Sequence, residues 1–413
     1  MTPELPSDIS ALDASDPLAR FRDEFHLPSG VIYLDGNSLG ALPKCVAARI
    51  ETTVMREWGD GLIRSWNACD WIGLPQRVGA KLASLIGTKP HEVIAADSTS
   101  VNLFKLIVAA ARLRPGRRYF VTELGNFPTD LYMIEGAQWL TEGRLCLRAC
   151  ETPQLEAAIR EDVALVLLTH VHYKSGRMHD ITELTRRAHA AGALVLWDLS
   201  HSAGAVEVDL NGARADFAVG CGYKYLNGGP GAPAFLFVAE RHHADARSPL
   251  TGWLGHAEPF AFEDHYRPGE GIRRHLCGTP GILGLAGLDA SLDLSLQADM
   301  KEIARKGRRL GDLFIRLVEE RCAGYGLELA SPRDSAVRGS HVALRHCAGF
   351  PIMQALIHAG VIGDFRAPDI LRFGFASLYL RYRDVWEAAT ALHRVLESGS
   401  WREPRYRARA ATT

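Results

Sequence analysis

The sequence predicts an α/β protein with a mostly parallel sheet covered by helices, followed by a smaller α+β C-terminal domain. From about residue 90, continuous apolar runs alternate with longer segments of helical spacing, a pattern typical of parallel strands buried on both faces. After residue 285, a long amphipathic segment precedes short strand candidates, which indicates a separate α+β unit. A length of 413 residues also favours about two domains.

The elements of the large domain follow one another as strand and helix. "EVIAADS" precedes "TSVNLFKLIVAAARL", "RRYFVTE" precedes "PTDLYMIEGAQWL", and "VALVLLTHV" precedes "DITELTRRAHAAG". Three more strand candidates follow: "ALVLWDL", "DFAVGCG" and "APAFLFVA". The small domain opens with the helix "DMKEIARKGRRLGDLFIRLVEERC" and continues with "GLELAS", "SHVALRH", "FPIMQALIHAG" and "DILRFGFA". We therefore predict an N-terminal segment (1–45) packing with the small domain, a large domain (46–285) and a small C-terminal domain (286–413).

Composition and charge argue against several classes of partner. The net charge of -1 does not favour a nucleic-acid partner, and the longest apolar runs are shorter than a membrane span. The start "MTPELPSDISALDASDP" is polar and acidic, unlike a secretory signal. Eight scattered cysteines form no C-x-x-C pair, which is typical of a reduced compartment. We expect a cytoplasmic protein with no nucleic-acid or membrane partner.

Ligands of parallel sheets bind beyond the carboxyl ends of the strands, where this chain carries an acid and a lysine. Asp198 ends one apolar strand, His201 follows it, and Lys224 follows the next strand. Taken singly, Asp198 suits a helix cap or an arginine partner, His201 a hydrogen-bonded core residue, and Lys224 a side chain that reaches solvent. Together they suit pyridoxal phosphate, because a lysine forms a Schiff base with its aldehyde and an aspartate keeps its pyridine nitrogen protonated.

The other parts of such a site are also present at strand ends. Asp97 to Ser100 supply hydroxyl groups and a helix N-terminus, which bind phosphate well. The stretch "NFPTD" places Phe127 where it could cover the cofactor ring, although a core position suits it equally. The sequence therefore predicts a pyridoxal 5′-phosphate site and no resident metal.

Nine stretches between residues 33 and 375 resemble the kynureninase family, pyridoxal phosphate enzymes of the aspartate aminotransferase fold type. They are "YLDGNSLGALP", "EWGDGLIRSWN", "NFPTDLY", "LTHVHYKSG", "WDLSHSAGAVEVDL", "CGYKYLNGGPGAPAF", "GWLGH", "CGTPGI" and "LRFGF". The resemblance covers nearly the whole chain. It implies a PLP-dependent transferase fold of type I, with residues 46–285 binding the cofactor. It also implies hydrolysis of the Cβ–Cγ bond of L-kynurenine to anthranilate and L-alanine, in tryptophan catabolism, with 3-hydroxykynurenine used more weakly.

The resemblance also assigns roles to individual residues. Lys224 would be the Schiff-base lysine and proton acceptor, Asp198 the partner of the pyridine nitrogen, and Tyr223 a proton relay. Cofactor contacts would come from Thr99, Ser100, Phe127, Thr129, Asp130, Thr169, Asp198, His201, Tyr223 and Lys224. Arg372 would bind the α-carboxylate of the substrate, since a guanidinium can form two parallel bonds with it. Ser38 and Trp66 would contact the aryl ketone, or serve as ordinary turn and core residues.

Family members are similar in being homodimers whose cofactor site is completed across the interface. Trp253 and Thr279 match the positions that do this, so a homodimer is implied here. The runner-up interpretation is another class V-like enzyme, an aminotransferase or a cysteine desulfurase. A desulfurase needs a mobile cysteine in a late loop, and Cys322 and Cys347, in a helix end and near a strand, match that poorly.

Other functional classes have weaker support in the sequence. His170, His172 and His179 could bind a metal in a hydrolase, but no carboxylate–histidine helix motif accompanies them. A dinucleotide-binding protein is disfavoured because "GCGYKYLNGG" has Tyr225 where the third glycine of that fingerprint belongs. A binding module without catalysis would leave the Lys224 and Asp198 pair without a role.

Overall fold

The computed structural model describes residues 5–408, and its central element is a seven-stranded sheet. In spatial order, its strands are β4 (Val93–Ala95), β10 (Phe235–Val238), β9 (Phe217–Gly220), β8 (Leu194–Asp198), β7 (Val163–Thr169), β5 (Tyr119–Glu123) and β6 (Cys146–Cys150). Strands β6, β5, β7, β8 and β9 pair in parallel, and β10 runs antiparallel to both of its neighbours. The predicted mostly parallel sheet is confirmed.

Helices cover both faces of this sheet. Successive strand residues point to opposite faces, and the apolar side chains on each face pack against helices. On one face, Val166 and Val195 join an apolar cluster with α4 (Leu74–Leu85), α8 (Ile181–Ala190) and α9 (Ile282–Ser295). On the other face, Leu165 and Leu194 pack with α5 (Thr99–Leu113) and α6 (Pro128–Leu140). The bounds of the large-domain helices are α2 (Lys44–Thr52), α3 (Ser65–Ala68), α4 (Leu74–Leu85), α5 (Thr99–Leu113), α6 (Pro128–Leu140), α7 (Leu155–Ala158), α8 (Ile181–Ala190) and α9 (Ile282–Ser295).

The smaller C-terminal unit combines a four-stranded antiparallel sheet with three helices. The strand order is β11 (Glu328–Leu329), β12 (His341–Arg345), β15 (Ile370–Gly374) and β14 (Asp364–Arg366). Its helices are α10 (Met300–Arg321), α11 (Gly349–His358) and α12 (Tyr382–Ser398). The register of β14 and β15 sets Asp364 opposite Arg372, a pair that matters for the site described below.

The N-terminal segment packs against this smaller unit. It contains α1 (Ser7–Ala14), β1 (Phe25–His26), β2 (Ile32–Tyr33) and β3 (Leu42–Pro43), and β2 pairs in parallel with β13 (Val361–Ile362). Asp16 and Lys306 form an ion pair of 2.6 Å in which both side chains are almost completely buried. The exact domain limits stay a prediction; the limit at residue 285 falls inside α9, whose residues pack under the central sheet.

The parallel strands bring their carboxyl ends to one edge of the central sheet. Thr169 and Asp198 lie side by side at the ends of β7 and β8. Lys224 follows β9 in an irregular glycine-rich turn. None of the helices within residues 5–408 is long and apolar enough to cross a membrane.

Candidate active site

A cavity of about 230 Å³ opens at this edge of the central sheet. Most of the residues predicted to contact the cofactor line it together. They are Thr99, Ser100, Phe127, Thr129, Thr169, Asp198, His201, Tyr223 and Lys224. Asp97, Ser98, Tyr173 and Ser200 also line it, and the sequence analysis did not assign roles to the last two. The sequence therefore located this cavity, although the roles of its residues remain predictions.

Lys224 points into the cavity and contacts His201. Its Nζ lies 3.0 Å from His201 Nε2 and 5.8 Å from the centre of the Phe127 ring. The pKa of His201 lies well below its usual value, mainly because the ring is buried and secondly because of the charge of Lys224. The imidazole is therefore neutral. A neutral ring can accept a proton of an ammonium or donate to a free amine. His201 can therefore accompany Lys224 in either protonation state.

Asp198 offers one free oxygen to the cavity. Its Oδ1 accepts hydrogen bonds from the backbone N–H of Ser200 at 2.8 Å and from the Ser200 hydroxyl at 2.6 Å. Within residues 5–408, Oδ2 accepts no hydrogen bond. Burial raises the pKa of Asp198, while the bonds from Ser200 and the charge of Lys224 oppose that rise. The free oxygen is suited to accept an N–H group of a ligand.

A second buried carboxyl group, Asp130, lies beneath the same edge. Burial and the charge of Asp198 raise its pKa well above the usual value. Thr169 Oγ1 lies 3.0 Å from Asp130 Oδ2 and 2.5 Å from Asn126 Oδ1. The Thr169 hydroxyl has one hydrogen and can donate to only one of these two oxygens. When it donates to Asn126 Oδ1, a protonated Asp130 can donate from Oδ2 to Thr169 Oγ1. This arrangement favours a proton on Asp130, which then adds no negative charge beside Asp198.

The N-terminus of α5 forms another wall of the cavity. Ser98 caps this helix by accepting a bond from the Val101 N–H, and the hydroxyls of Ser100 and Thr129 lie 2.6 Å apart. The free N–H groups of a first helical turn favour an anion such as phosphate. Nearby, Asp97 forms an ion pair with the fully buried Lys105. The helix terminus and the hydroxyls together provide the predicted phosphate-binding features.

Aromatic side chains lie around the amine of Lys224. Phe127 contacts Tyr173 edge to face, with 5.2 Å between ring centres. The Tyr223 ring lies 5.9 Å from Lys224 Nζ, and burial raises the pKa of its hydroxyl. Tyr223 therefore remains protonated at neutral pH and can act as a proton donor. The edge-to-face contact also holds Phe127 at the cavity, where the sequence predicts that it covers the cofactor ring.

Arg372 lies in a buried ion cluster beside the cavity. Its side chain is only 2 % exposed, and its Nε and Nη2 donate to the two carboxylate oxygens of Asp364 at 2.8 and 2.5 Å. Its Nη1 donates to the Tyr173 carbonyl at 2.6 Å, and its Nη2 also donates to the Ser38 hydroxyl at 2.8 Å. Ser38 thus contacts Arg372. No sequence pattern singles out Asp364, whose place opposite Arg372 depends on the register of β14 and β15.

Trp66, Trp253 and Thr279 do not line the Lys224 cavity. Trp66 and Trp253 line a separate apolar groove of about 390 Å³ with Ile63, Ile72 and Phe260. Thr279 lines a neighbouring cavity that shares Asp97 and Gly231 with the Lys224 cavity. Trp66 therefore lies outside the Lys224 cavity of its own chain. Trp253 and Thr279 were predicted to act across a dimer interface, and that role stays a prediction.

The three histidines considered for a metal site each have a separate environment. His179 Nε2 contacts Glu123 Oε2 at 2.6 Å, His172 Nε2 donates to the Gly125 carbonyl at 3.0 Å, and His170 is buried beside Trp197. Among residues 5–408, no three or more histidine, cysteine or acidic side chains form a group that could hold a metal ion. His172 and His179 instead contact the segment that precedes Phe127.

The residues of the cavity fit pyridoxal phosphate. Asp198 has a free, buried oxygen for a pyridine N–H, and Lys224 has an amine for the aldehyde. The N-terminus of α5 with Ser100 and Thr129 suits the phosphate, and Phe127 offers a face for the ring. Lys224, Asp198 and the N-terminus of α5 thus match the aldehyde, the ring nitrogen and the phosphate of one small cofactor.

Comparisons with known proteins agree with this fit. The family model "Aminotransferase class-V" matches residues 32–338, and "Kynureninase C-terminal domain" matches residues 303–392. Kynureninase of Pseudomonas fluorescens is 50% identical over 412 residues, covering 98% of this chain and 99% of the relative. Kynureninase of Burkholderia mallei (strain SAVP1) is 51% identical over 408 residues, covering 98% of each chain.

Solved structures share the fold at low identity. Cysteine desulfurase from Thermococcus onnurineus NA1 superposes with a TM-score of 0.76 at 20% identity, covering 96% of this chain and 99% of its own. A C-DES variant, with glycine covalently linked to its PLP cofactor, also has a TM-score of 0.76, at 16% identity, covering 90% and 98%. The predicted fold type and pyridoxal 5′-phosphate are confirmed, and kynureninase is supported over the desulfurase and aminotransferase alternatives. This chain belongs to the kynureninase family.

Proposed function

We propose that the protein is a pyridoxal phosphate-dependent hydrolase that cleaves the Cβ–Cγ bond of L-kynurenine to give anthranilate and L-alanine. The observation that carries this proposal is the joint placement of Lys224, Asp198 and Arg372 around one sheet edge in a chain half identical to kynureninases. We expect L-kynurenine to be preferred over its 3-hydroxy analogue.

The bound cofactor supplies an electron sink for negative charge that develops on the substrate carbons. Lys224 would hold the aldehyde and accept the α-proton, with neutral His201 at 3.0 Å from its amine. Asp198 would accept the pyridine N–H at Oδ2, since Ser200 already occupies Oδ1. Asp130, which retains its proton, would stabilise the ionised state of Asp198 by carrying no charge of its own.

The remaining residues would bind and orient the substrate. Arg372 would hold the α-carboxylate beside the cavity, and Phe127 would limit ring movement by stacking. Tyr223, protonated and close to Lys224, would deliver a proton to a substrate carbon or oxygen. These assignments extend the sequence predictions to stated atoms of each side chain.

We also propose a homodimer in which Trp253 and Thr279 of one chain complete the cofactor site of the other. Trp253 is 44% exposed, and the apolar groove it shares with Trp66 and Phe260 lies open in the single chain. Phe262, which stacks on Trp253, is also exposed, as are Met55, Trp58, Leu62 and Ile63 in the segment that precedes Trp66. Exposed apolar patches commonly mark a protein interface.

Product analysis tests the proposed reaction. The purified holoenzyme is incubated with L-kynurenine, with and without an added 2-oxo acid, and the products are identified by mass spectrometry. Hydrolysis gives anthranilate and alanine in equal amounts without the oxo acid, whereas an aminotransferase depends on that acceptor. Absence of anthranilate under both conditions would refute the proposed function.

A further inference from the structure

Arg372 has few donors left for a substrate. A guanidinium carries five N–H groups, and four of those of Arg372 already serve Asp364, Ser38 and the Tyr173 carbonyl. The whole residue is 1 % exposed. Arg372 alone can therefore offer a carboxylate one free N–H, unless an existing partner leaves. A second donor group beside it would supply the missing contacts.

Arg366, on the neighbouring strand β14, lies in the same cluster. Its Nη2 donates to Asp364 Oδ2 at 2.6 Å and to the Ser38 hydroxyl at 3.2 Å. Its Nε is buried with no hydrogen-bond partner, and within residues 5–408 its Nη1 has no protein acceptor either. Within that range, Arg366 thus has three N–H groups without a partner, one of them on the buried Nε and two on Nη1, and its side chain is 38% exposed.

The cluster lies at the wall of the Lys224 cavity. Tyr173, whose carbonyl accepts from Arg372, lines that cavity, and the Gly40 N–H of the turn that contains Ser38 donates to the Tyr223 carbonyl at 2.8 Å. The charge of Arg366 also opposes the burial-driven rise in the pKa of Tyr223. Arg366 thus belongs to a cluster that contacts the wall of the cavity through Arg372 and Ser38, although its own side chain does not line the cavity.

Asp364 fixes the positions of both arginines. Its side chain is fully buried, it accepts three arginine N–H bonds, and Ser38 Oγ donates a fourth at 2.9 Å. Burial alone would raise the pKa of Asp364, but the charges of Arg372 and Arg366 lower it, so it remains ionised. Two guanidinium groups and one carboxylate leave one positive charge, which matches a single substrate carboxylate.

We propose that Arg366 is a substrate-binding residue that shares the α-carboxylate with Arg372, and that Asp364 positions both guanidinium groups. Arg372 provides the buried charge and one free N–H group, and Arg366 provides the further N–H groups that complete the contact with the carboxylate. This inference rests on the proposed function only for the identity of the substrate, because any amino acid ligand carries the same carboxylate.

The test compares the binding of two ligands, one with a charged carboxylate and one without it. The visible spectrum of the holoenzyme is titrated with L-alanine, the proposed product, and with L-alaninamide, which lacks that charge. The variants are Arg366→Gln and Arg366→Lys. The matched control is Arg345→Gln, since Arg345 is an exposed arginine at the end of β12 in the same sheet and pairs with Asp369 instead of Asp364.

We expect Arg366→Gln to raise the Kd for L-alanine by about tenfold or more, because a charge-assisted hydrogen bond is lost. The Kd for L-alaninamide should change less than about twofold. Arg366→Lys should recover part of the affinity. Equal weakening of both ligands, or no weakening of either, would overturn the inference. A protein that discriminates these ligands but does not cleave L-kynurenine would refute the proposed function and leave this inference standing.

Discussion

The backbone N–H and the hydroxyl of Ser200 both donate to Oδ1 of Asp198, which leaves Oδ2 facing the cavity. This geometry fixes the carboxylate plane, so the free oxygen can meet a ring nitrogen without reorganisation. A neutral amide at this position would keep the shape but could not stabilise a protonated ring. The pair therefore provides a direct way to separate the charge of Asp198 from its geometry.

Asp198→Asn should lower kcat by about 10²–10³-fold, the range for losing one preorganised electrostatic contact. Ser200→Ala is the matched control, because it removes the bond from the hydroxyl and keeps both the carboxylate and the backbone bond; we expect less than about a tenfold loss. Steady-state kinetics with L-kynurenine measures both variants. Similar losses in the two variants would show that geometry, and not the charge, is what matters.

Tyr223→Phe should lower kcat by about 10²–10⁴-fold, the usual contribution of a positioned proton donor, with cofactor colour retained. The hydroxyl is available because burial raises its pKa and keeps it protonated. Kinetics in water and deuterium oxide measures the change and its solvent isotope effect. Turnover at the wild-type rate in Tyr223→Phe would remove Tyr223 from the mechanism.

The affinity for substrate should depend on the protonation of Asp35. Burial, followed by the charge of Asp364, raises the pKa of Asp35 to about 7, and its Oδ1 has no hydrogen-bond partner. Below that pH the carboxyl is neutral and the arginine cluster has one net positive charge. Above it, Asp35 ionises, the net charge falls to zero, and the α-carboxylate binds more weakly.

We expect KM to rise by about tenfold between pH 6 and 8.5 if bound carboxylate shifts the Asp35 pKa by about one unit, with little change in kcat. The Asp35→Asn variant should lack this rise, and comparison with it removes the titration of the substrate amine. Ser38, Arg366 and Arg372 also face Asp35. The pKa of Asp364 lies below its usual value and those of Tyr33, Tyr225 and Tyr379 lie above theirs, so none of these four groups changes its charge in this range. Identical KM profiles for the two proteins would contradict the prediction.

Hybrid dimers test whether the site is shared between chains. One chain carries Lys224→Ala, and the other carries Trp253→Ala with Thr279→Ala. Each homodimer should be inactive. If Trp253 and Thr279 act across the interface, the hybrid has one complete site and about half of the wild-type activity per dimer. Failure to isolate a hybrid would mean that no dimer forms, and no recovery in a purified hybrid would mean that each chain completes its own site.

Local patterns in the sequence predicted much of the fold and the cavity. Apolar runs located strands such as Leu194–Asp198, and the rule that ligands bind at strand ends led directly to Lys224. The Asp364–Arg372 pair was not predictable, because it depends on the register of two short strands. The bond from Arg372 to Tyr173 joins residues 199 positions apart, and no local pattern encodes such a contact.

The most direct test of the central proposal is a visible spectrum of the purified protein before and after addition of L-kynurenine, with anthranilate fluorescence followed in the same sample. We predict a yellow protein that releases anthranilate. Lys224→Ala should lose the imine-type colour and lower activity by about 10³-fold or more, while the exposed Lys301→Ala retains both. A protein that stays colourless and inactive after addition of pyridoxal phosphate would contradict the account of the Lys224 cavity.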